Sequence, residues 1–120
     1  MARRGRARTL LGGVIVERGA VHLTQLPGIG RRPALVVSWA GVNMRLGQPV
    51  MARITTVGRE RALDTFVALQ AGEGGLEHDS FVLCHDLTTV GASAVGLRLG
   101  RLHRRRMRQV DVALRRSLGL

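Results

Sequence analysis

Along most of this chain the apolar residues come in short runs that alternate with polar ones and are cut by glycine or proline. After Arg18 the stretch "AVHLTQL" sets Ala20, His22 and Thr24 on one face and Val21, Leu23 and Gln25 on the other, which predicts a half-buried strand. "PGIG" then signals a turn, and "PALVVSWA" reads as a compact β run. Pro33 is its first residue, where a missing backbone donor costs least. "GVNMRLGQ" breaks the alternation and reads as a loop or a helical turn, and "PVMARITTV" returns to strand. "TFVAL" is a short strand, "QAGEGGLEHD" a glycine-rich connection and "SFVLCHDLTTV" the longest β-like run. Only the end changes period: Met107, Val110, Leu114 and Leu118 recur at helical spacing, with Gly119 as the stop. The pattern predicts a mainly β (α+β) fold, an antiparallel meander of about five or six strands closed by a C-terminal helix. Strands do not alternate with long helices, so a doubly wound parallel sheet is excluded.

The chain has 120 residues, 45% of them hydrophobic, which suits one cored domain. Residues 1–12 are expected to form a basic, disordered arm, and residues 13–120 a single domain. The basic start followed by "LLGGVIV" does not make a signal peptide, because the apolar run is short, holds two glycines and ends at Glu17-Arg18. No apolar run reaches the roughly 20 residues of a membrane span.

Charge adds more than its total. All 19 basic residues are arginine, set against 8 acids for a net charge of +11. Residues 1–10 carry +4 and residues 98–116 carry +7, so the stretch between them is neutral. The excess therefore sits in a tail and a C-terminal segment, which favours a polyanionic partner such as nucleic acid or an acidic peptide. In the final helix Arg104, Arg105, Arg108, Arg115 and Arg116 oppose the apolar arc. Arg104, Arg105 and Arg106 also lie at the positive end of the helix dipole, where cations are unfavourable. Trp39, Phe66 and Phe81 are the only large aromatics, too few for a base-stacking platform.

Cys84 is the sole cysteine, so no internal disulfide forms. "CHD" at Cys84, His85 and Asp86 invites a thiol nucleophile, but adjacent strand residues point to opposite faces, and a buried structural cysteine is the expectation. His22, His78, His85 and His103 lack metal-type spacing, and no metal or other cofactor is expected. What remains is a set of arginines and hydroxyls at strand mouths: Arg31-Arg32 before Pro33, and Thr55-Thr56 after "MARI", which contains Arg53. Arginine stays charged at any working pH and offers a bidentate fork to phosphate. A hydroxyl adds a neutral donor. Such a set could stabilise the charge that develops when an RNA 2′-hydroxyl attacks its own phosphate.

"ERGAVHL", "GRRPALVVS", "MARITT", "HDSFVLCHDLTTV", "VGLRLGRL" and "MRQVDVALRRSLGL" resemble, in order and spacing, the MazF/PemK toxins of type II toxin-antitoxin systems, over about residues 14–120. The resemblance implies an SH3-like small barrel with added helices, a homodimer, and metal-independent, sequence-selective cleavage of single-stranded RNA, chiefly mRNA, in the cytoplasm. It implies a MazE-like antitoxin whose acidic, extended segment wraps the toxin. It also implies that Arg32 and Thr55 are catalytic. Arg31, Arg53, Thr56, Asp86 and Thr88 complete the expected substrate-contacting set, Asp86 and Thr88 standing where the family usually has glutamine and arginine. "PGIG" replaces a longer loop that in the family carries a glutamate, and "LHRRRM" replaces an acidic helix start. By strand alternation Arg31 and Arg32 face different sides, which assigns Arg32 to the scissile phosphate and Arg31 to flanking backbone. The other reading left open is a non-catalytic binding module on the same scaffold, poisoning a protein target as the related CcdB toxins do, or holding nucleic acid without cutting it.

Overall fold

The computed structural model describes residues 9–11, 14–58 and 63–120. The arginines of residues 1–8, together with Arg59 and Arg61, lie outside them. β1 (Thr9–Leu11) and β2 (Val14–Val16) pair as a small antiparallel ribbon with Thr9 opposite Val16, so β1 falls within the span expected as an arm. The main sheet has six strands: β3 (Ala20–Leu26), β4 (Gly30–Val36), β5 (Val50–Thr55), β6 (Phe66–Leu69), β7 (Ser80–Thr89) and β8 (Val95–Arg101). All its pairings are antiparallel, in the order β6-β7-β5-β4-β3-β8. α1 (Ala40–Leu46) joins β4 to β5, and α2 (Arg104–Leu118) closes the chain.

Period-two alternation sorts the strand residues into two cores, one on each face of the bent sheet. Leu35, Ala52, Ile54, Val82 and Cys84 join one cluster, which α2 covers with Val110 and Ala113. Ala34, Val36 and Met51 join the other, with Val16, Val90 and Val95. Full burial of a side chain such as Val110 stabilises by about 1.5–3 kcal/mol. The helical stripe extends as expected through Met107 and Leu114, both packed against the first cluster. Leu118, however, is 56% exposed and joins neither core cluster.

β4 begins earlier than its apolar run suggests. Arg31 and Arg32 already pair with Gln25 and Thr24 of β3, so the arginines lie within the strand and not ahead of it. The cause is the tight turn at Pro27-Gly28, where Gly28 takes φ +72° and brings the two strands into register at once. Pro33 sits one residue before the β4–β5 ladder starts at Ala34, where the strand still has an open edge. After β4, buried Asn43 of α1 accepts a hydrogen bond from Ser38 Oγ, and that hydroxyl accepts from the Val50 N–H at 2.9 Å, tying α1 to the start of β5.

β7 is the longest strand because two others share it. Its first residues pair with β6 and with the end of β5, and its last residues pair with the start of β5. Between Ala52 and Ile54 the β5–β7 register jumps, Ala52 facing Leu87 and Ile54 facing Val82, so β7 bulges over residues 83–86 and bends the sheet.

The glycine-rich connection forms a single 3₁₀ turn, Glu73–Gly75, pressed against β8. Gly75 has φ +76°, and a Cβ there would run into the carbonyl of Leu99. Gly28 has nothing within 4 Å of the same position. Gly75→Ala should therefore cost at least about 2 kcal/mol in urea unfolding, and Gly28→Ala only about 1 kcal/mol of backbone strain.

Candidate active site

The β4–β5 ladder holds only three residue pairs, Val36 with Met51, Leu35 with Ala52 and Ala34 with Arg53. Two residues further on, the same register would set Arg32 opposite Thr55, but the pairing has ended, and the strand mouths open into a pocket of about 390 Å³. Leu23, Pro33, Ile54, Leu76 and Leu99 give it an apolar floor, and Arg32, Arg53, Thr55, Thr56, Glu77, His78 and Ser80 its polar lining. A neighbouring depression shares Thr56 and Ser80 and reaches Arg106 on α2.

Of the seven expected site residues, four meet in this pocket: Arg32, Arg53, Thr55 and Thr56. Arg32 is exposed, and its Nη1 donates to the Arg31 carbonyl at 2.9 Å. Arg31 lies away from the pocket, over Gly96, where an added Cβ would be 3.1 Å from its Nη2. The two arginines therefore diverge, as strand alternation requires. Asp86 does not line the pocket but reaches it through Arg53, whose Nη1 is 3.6 Å from Asp86 Oδ2. Arg53 Nε is buried without a hydrogen-bond partner, so this guanidinium keeps donor capacity that its carboxylate does not use. Thr88 is half-buried opposite Met51 and does not line the pocket.

Glu77, His78 and Ser80 are lining residues that the chain pattern did not single out. Glu77 and His78 come from the connection ahead of β7 and Ser80 is that strand's first residue, and the pairing of Thr55 with Phe81 is what brings them alongside the arginines. The available signal was their place at the start of the longest strand, but the register jump that aligns that strand with Thr55 leaves no mark in alternation. The connection is anchored from the helix. Arg106 Nε and Nη2 donate to Glu73 Oε1 and Oε2 at 2.9 and 2.8 Å, and Glu73 also accepts from the Gln70 N–H at 2.7 Å. Arg106, at the unfavourable end of the dipole, is thus held by a bidentate pair. Arg104, Arg105, Arg108 and Arg115 are exposed and form no ion pair among the described residues.

The "CHD" triplet separates as expected. Cys84 is fully buried in the first core, and burial pushes its thiol up to about 11. His85 points outward and stacks on Phe66 at 5.3 Å. Among the described residues no group of three His, Cys, Asp or Glu side chains could hold a metal ion.

Solved structures share this architecture of a bent six-stranded antiparallel sheet with a capping helix. One is a mycobacterial endoribonuclease in complex with its cognate antitoxin, 30% identical, with a TM-score of 0.76 over 88% of this chain and 96% of that one. Among curated proteins, endoribonuclease EndoA of Bacillus subtilis is 30% identical over 113 residues, 89% of this chain and 97% of that protein. Probable endoribonuclease MazF5 of Mycobacterium tuberculosis is 34% identical over 97 residues, 81% of this chain and 87% of that protein. Residues 17–118 match the PemK-like, MazF-like toxins of type II toxin-antitoxin systems, and the chain belongs to that family.

Two outcomes follow from the geometry. The Arg106 guanidinium, through its hydrogen bonds, holds the Glu73 carboxyl below the ordinary carboxylate range. A lowered folded-state pKa adds stability above the unfolded pKa and loses it as pH falls through the folded one. The Tm advantage of the wild type over Glu73→Gln should therefore be full above the ordinary carboxylate range and be lost progressively as pH falls below it. The buried thiol of Cys84 should not react with a chromogenic disulfide reagent in the native state, and should react stoichiometrically in guanidinium chloride.

Proposed function

We propose that the chain is the toxin of a type II toxin-antitoxin system and cleaves single-stranded RNA, chiefly mRNA, in the pocket at the β4–β5 mouth. The observation that carries this is the meeting of Arg32, Arg53 and Thr55 in one concave site where the ladder between their strands ends. The chemistry is attack of a ribose 2′-hydroxyl on the adjacent phosphorus, leaving a 2′,3′-cyclic phosphate and a 5′-hydroxyl. Arg32 and Thr55 are the catalytic pair: Arg32 clamps the non-bridging oxygens with a charge it cannot lose, and Thr55 donates a neutral hydrogen bond beside them. Arg53, kept in place by Asp86, adds a second cation. Thr56 extends the contact along the strand, and Arg31 takes flanking backbone on the other side. Thr88 acts at most indirectly. Two permanently charged guanidinium groups supply the charge stabilisation that a metal ion would otherwise bring, so the reaction runs without one.

The named activities of the Bacillus and mycobacterial relatives support this reading, and the antitoxin in the mycobacterial complex supports a MazE-like partner with an acidic extended segment. The unpaired arginines of α2 complement such a segment in charge. Trp39, which precedes α1, and Met44 and Leu46 of α1 are exposed, an apolar surface that assembly into a homodimer would help to cover. No described helix is long and apolar enough to cross a membrane, and the site of action is the cytoplasm, where mRNA is found.

The purified protein should cleave a long single-stranded transcript in excess EDTA. Arg32→Ala should reduce the rate by about 10²–10³-fold with the fold intact by circular dichroism. Growth arrest with cellular RNA intact would replace this reading with the non-catalytic binding module, and undiminished cleavage by Arg32→Ala would overturn the catalytic role given to Arg32.

A further inference from the structure

We infer that His78 is the proton-accepting group of this pocket, taking the proton of the ribose 2′-hydroxyl as that oxygen attacks phosphorus. The inference rests on the ribonuclease reading of the site and concerns a step that neither Arg32 nor Thr55 can perform. A guanidinium stays protonated and has no lone pair to accept with, and a neutral hydroxyl is a poor base near neutral pH. Asp86 is engaged with Arg53 and lies outside the pocket lining.

Two lining groups remain that can accept a proton, Glu77 and His78. The imidazole is the better suited. A neutral imidazole has a lone pair to accept with and does not repel the incoming phosphodiester as a carboxylate does. Its backbone is fixed while its ring is free. The His78 carbonyl accepts from Ser80 Oγ at 2.8 Å, and Asp79 next to it accepts from the Ala71 N–H at 2.8 Å. The imidazole itself is exposed and makes no hydrogen bond among the described residues. The charged groups that share the pocket lining with it are Arg32 from β4, Arg53 from β5 and Glu77 from its own loop, Asp79 follows it in the chain, and Leu99 from β8 adds an uncharged lining side chain.

The step balances as a transphosphorylation. The 2′-oxygen forms a bond to phosphorus while its proton passes to the neutral imidazole. The bond from phosphorus to the 5′-oxygen breaks on the opposite side, and that oxygen leaves with a proton taken from solvent water. The imidazolium then returns its proton to solvent.

The test compares wild type, His78→Gln and His78→Ala on a long single-stranded phage RNA in excess EDTA, with rates across the neutral range and binding measured separately by filter retention. His103→Gln, remote from the pocket, controls for general histidine titration. The expected result is a loss of about 10²–10⁴-fold in cleavage rate for His78→Gln with RNA retention unchanged. The limb of the pH–rate profile that rises with deprotonation should disappear, and added imidazole should partly restore His78→Ala. Wild-type cleavage with an unchanged profile in His78→Gln overturns the inference and leaves the ribonuclease reading standing, and so does a loss explained entirely by weaker RNA retention. Absence of cleavage by the wild type overturns both.

Discussion

The structure depends on one discontinuity, the bulge of β7 against β5. Between two facing pairs β5 advances from Ala52 to Ile54 while β7 runs from Leu87 back to Val82. On the bent sheet both faces close over apolar clusters. The same bend puts Cys84 in the core, turns His85 outward onto Phe66, and sets Asp86 beside Arg53. It also brings the connection before β7 against the end of β5, without which the pocket would lack one wall.

The pocket exists because a ladder stops. Where β4 and β5 pair through Leu35 with Ala52 and Val36 with Met51, their side chains go to the two cores; at the last pair and just beyond it, the same alternation delivers Arg53, Arg32 and Thr55 to a concave opening. The opening accommodates cationic side chains that a core would not tolerate. The wall opposite is stiffened from α2 by the bidentate Arg106–Glu73 pair, so a residue unfavourable for the helix dipole is retained by what it holds. The basic surplus of the chain is thus divided: some arginines are structural, some line the site, and those on the outer face of α2 stay free for a polyanionic partner.

Most of the element order was legible in the chain, because turns at glycine and proline and a switch of period are local signals. The strand of Val50–Thr55, the long strand of Ser80–Thr89 and the helix of Arg104–Leu118 follow directly from alternation or helical spacing. The divergence of Arg31 and Arg32 was legible for the same reason. The start of β4 was not, since a polar pair such as Arg31-Arg32 gives no apolar cue and only the hairpin turn fixes its pairing. Nor was the exclusion of Thr88, or the arrival of Glu77, His78 and Ser80, because both follow from the β5–β7 register jump, a long-range property that no run of residues displays. The family resemblance supplied Arg32 and Thr55 but carried no information about this chain's own loop.

The central claim is that the scissile phosphate sits at the mouth where β4 and β5 part. A crystal structure of the protein with a short single-stranded RNA, methylated on its 2′-oxygens so that it cannot be cleaved, tests it most directly. The account places one backbone phosphate within hydrogen-bond reach of Arg32 and Thr55, with the adjacent 2′-oxygen toward His78. An oligonucleotide seated only along the outer arginines of α2, with the pocket between Arg32 and Thr55 empty of it, would contradict the account.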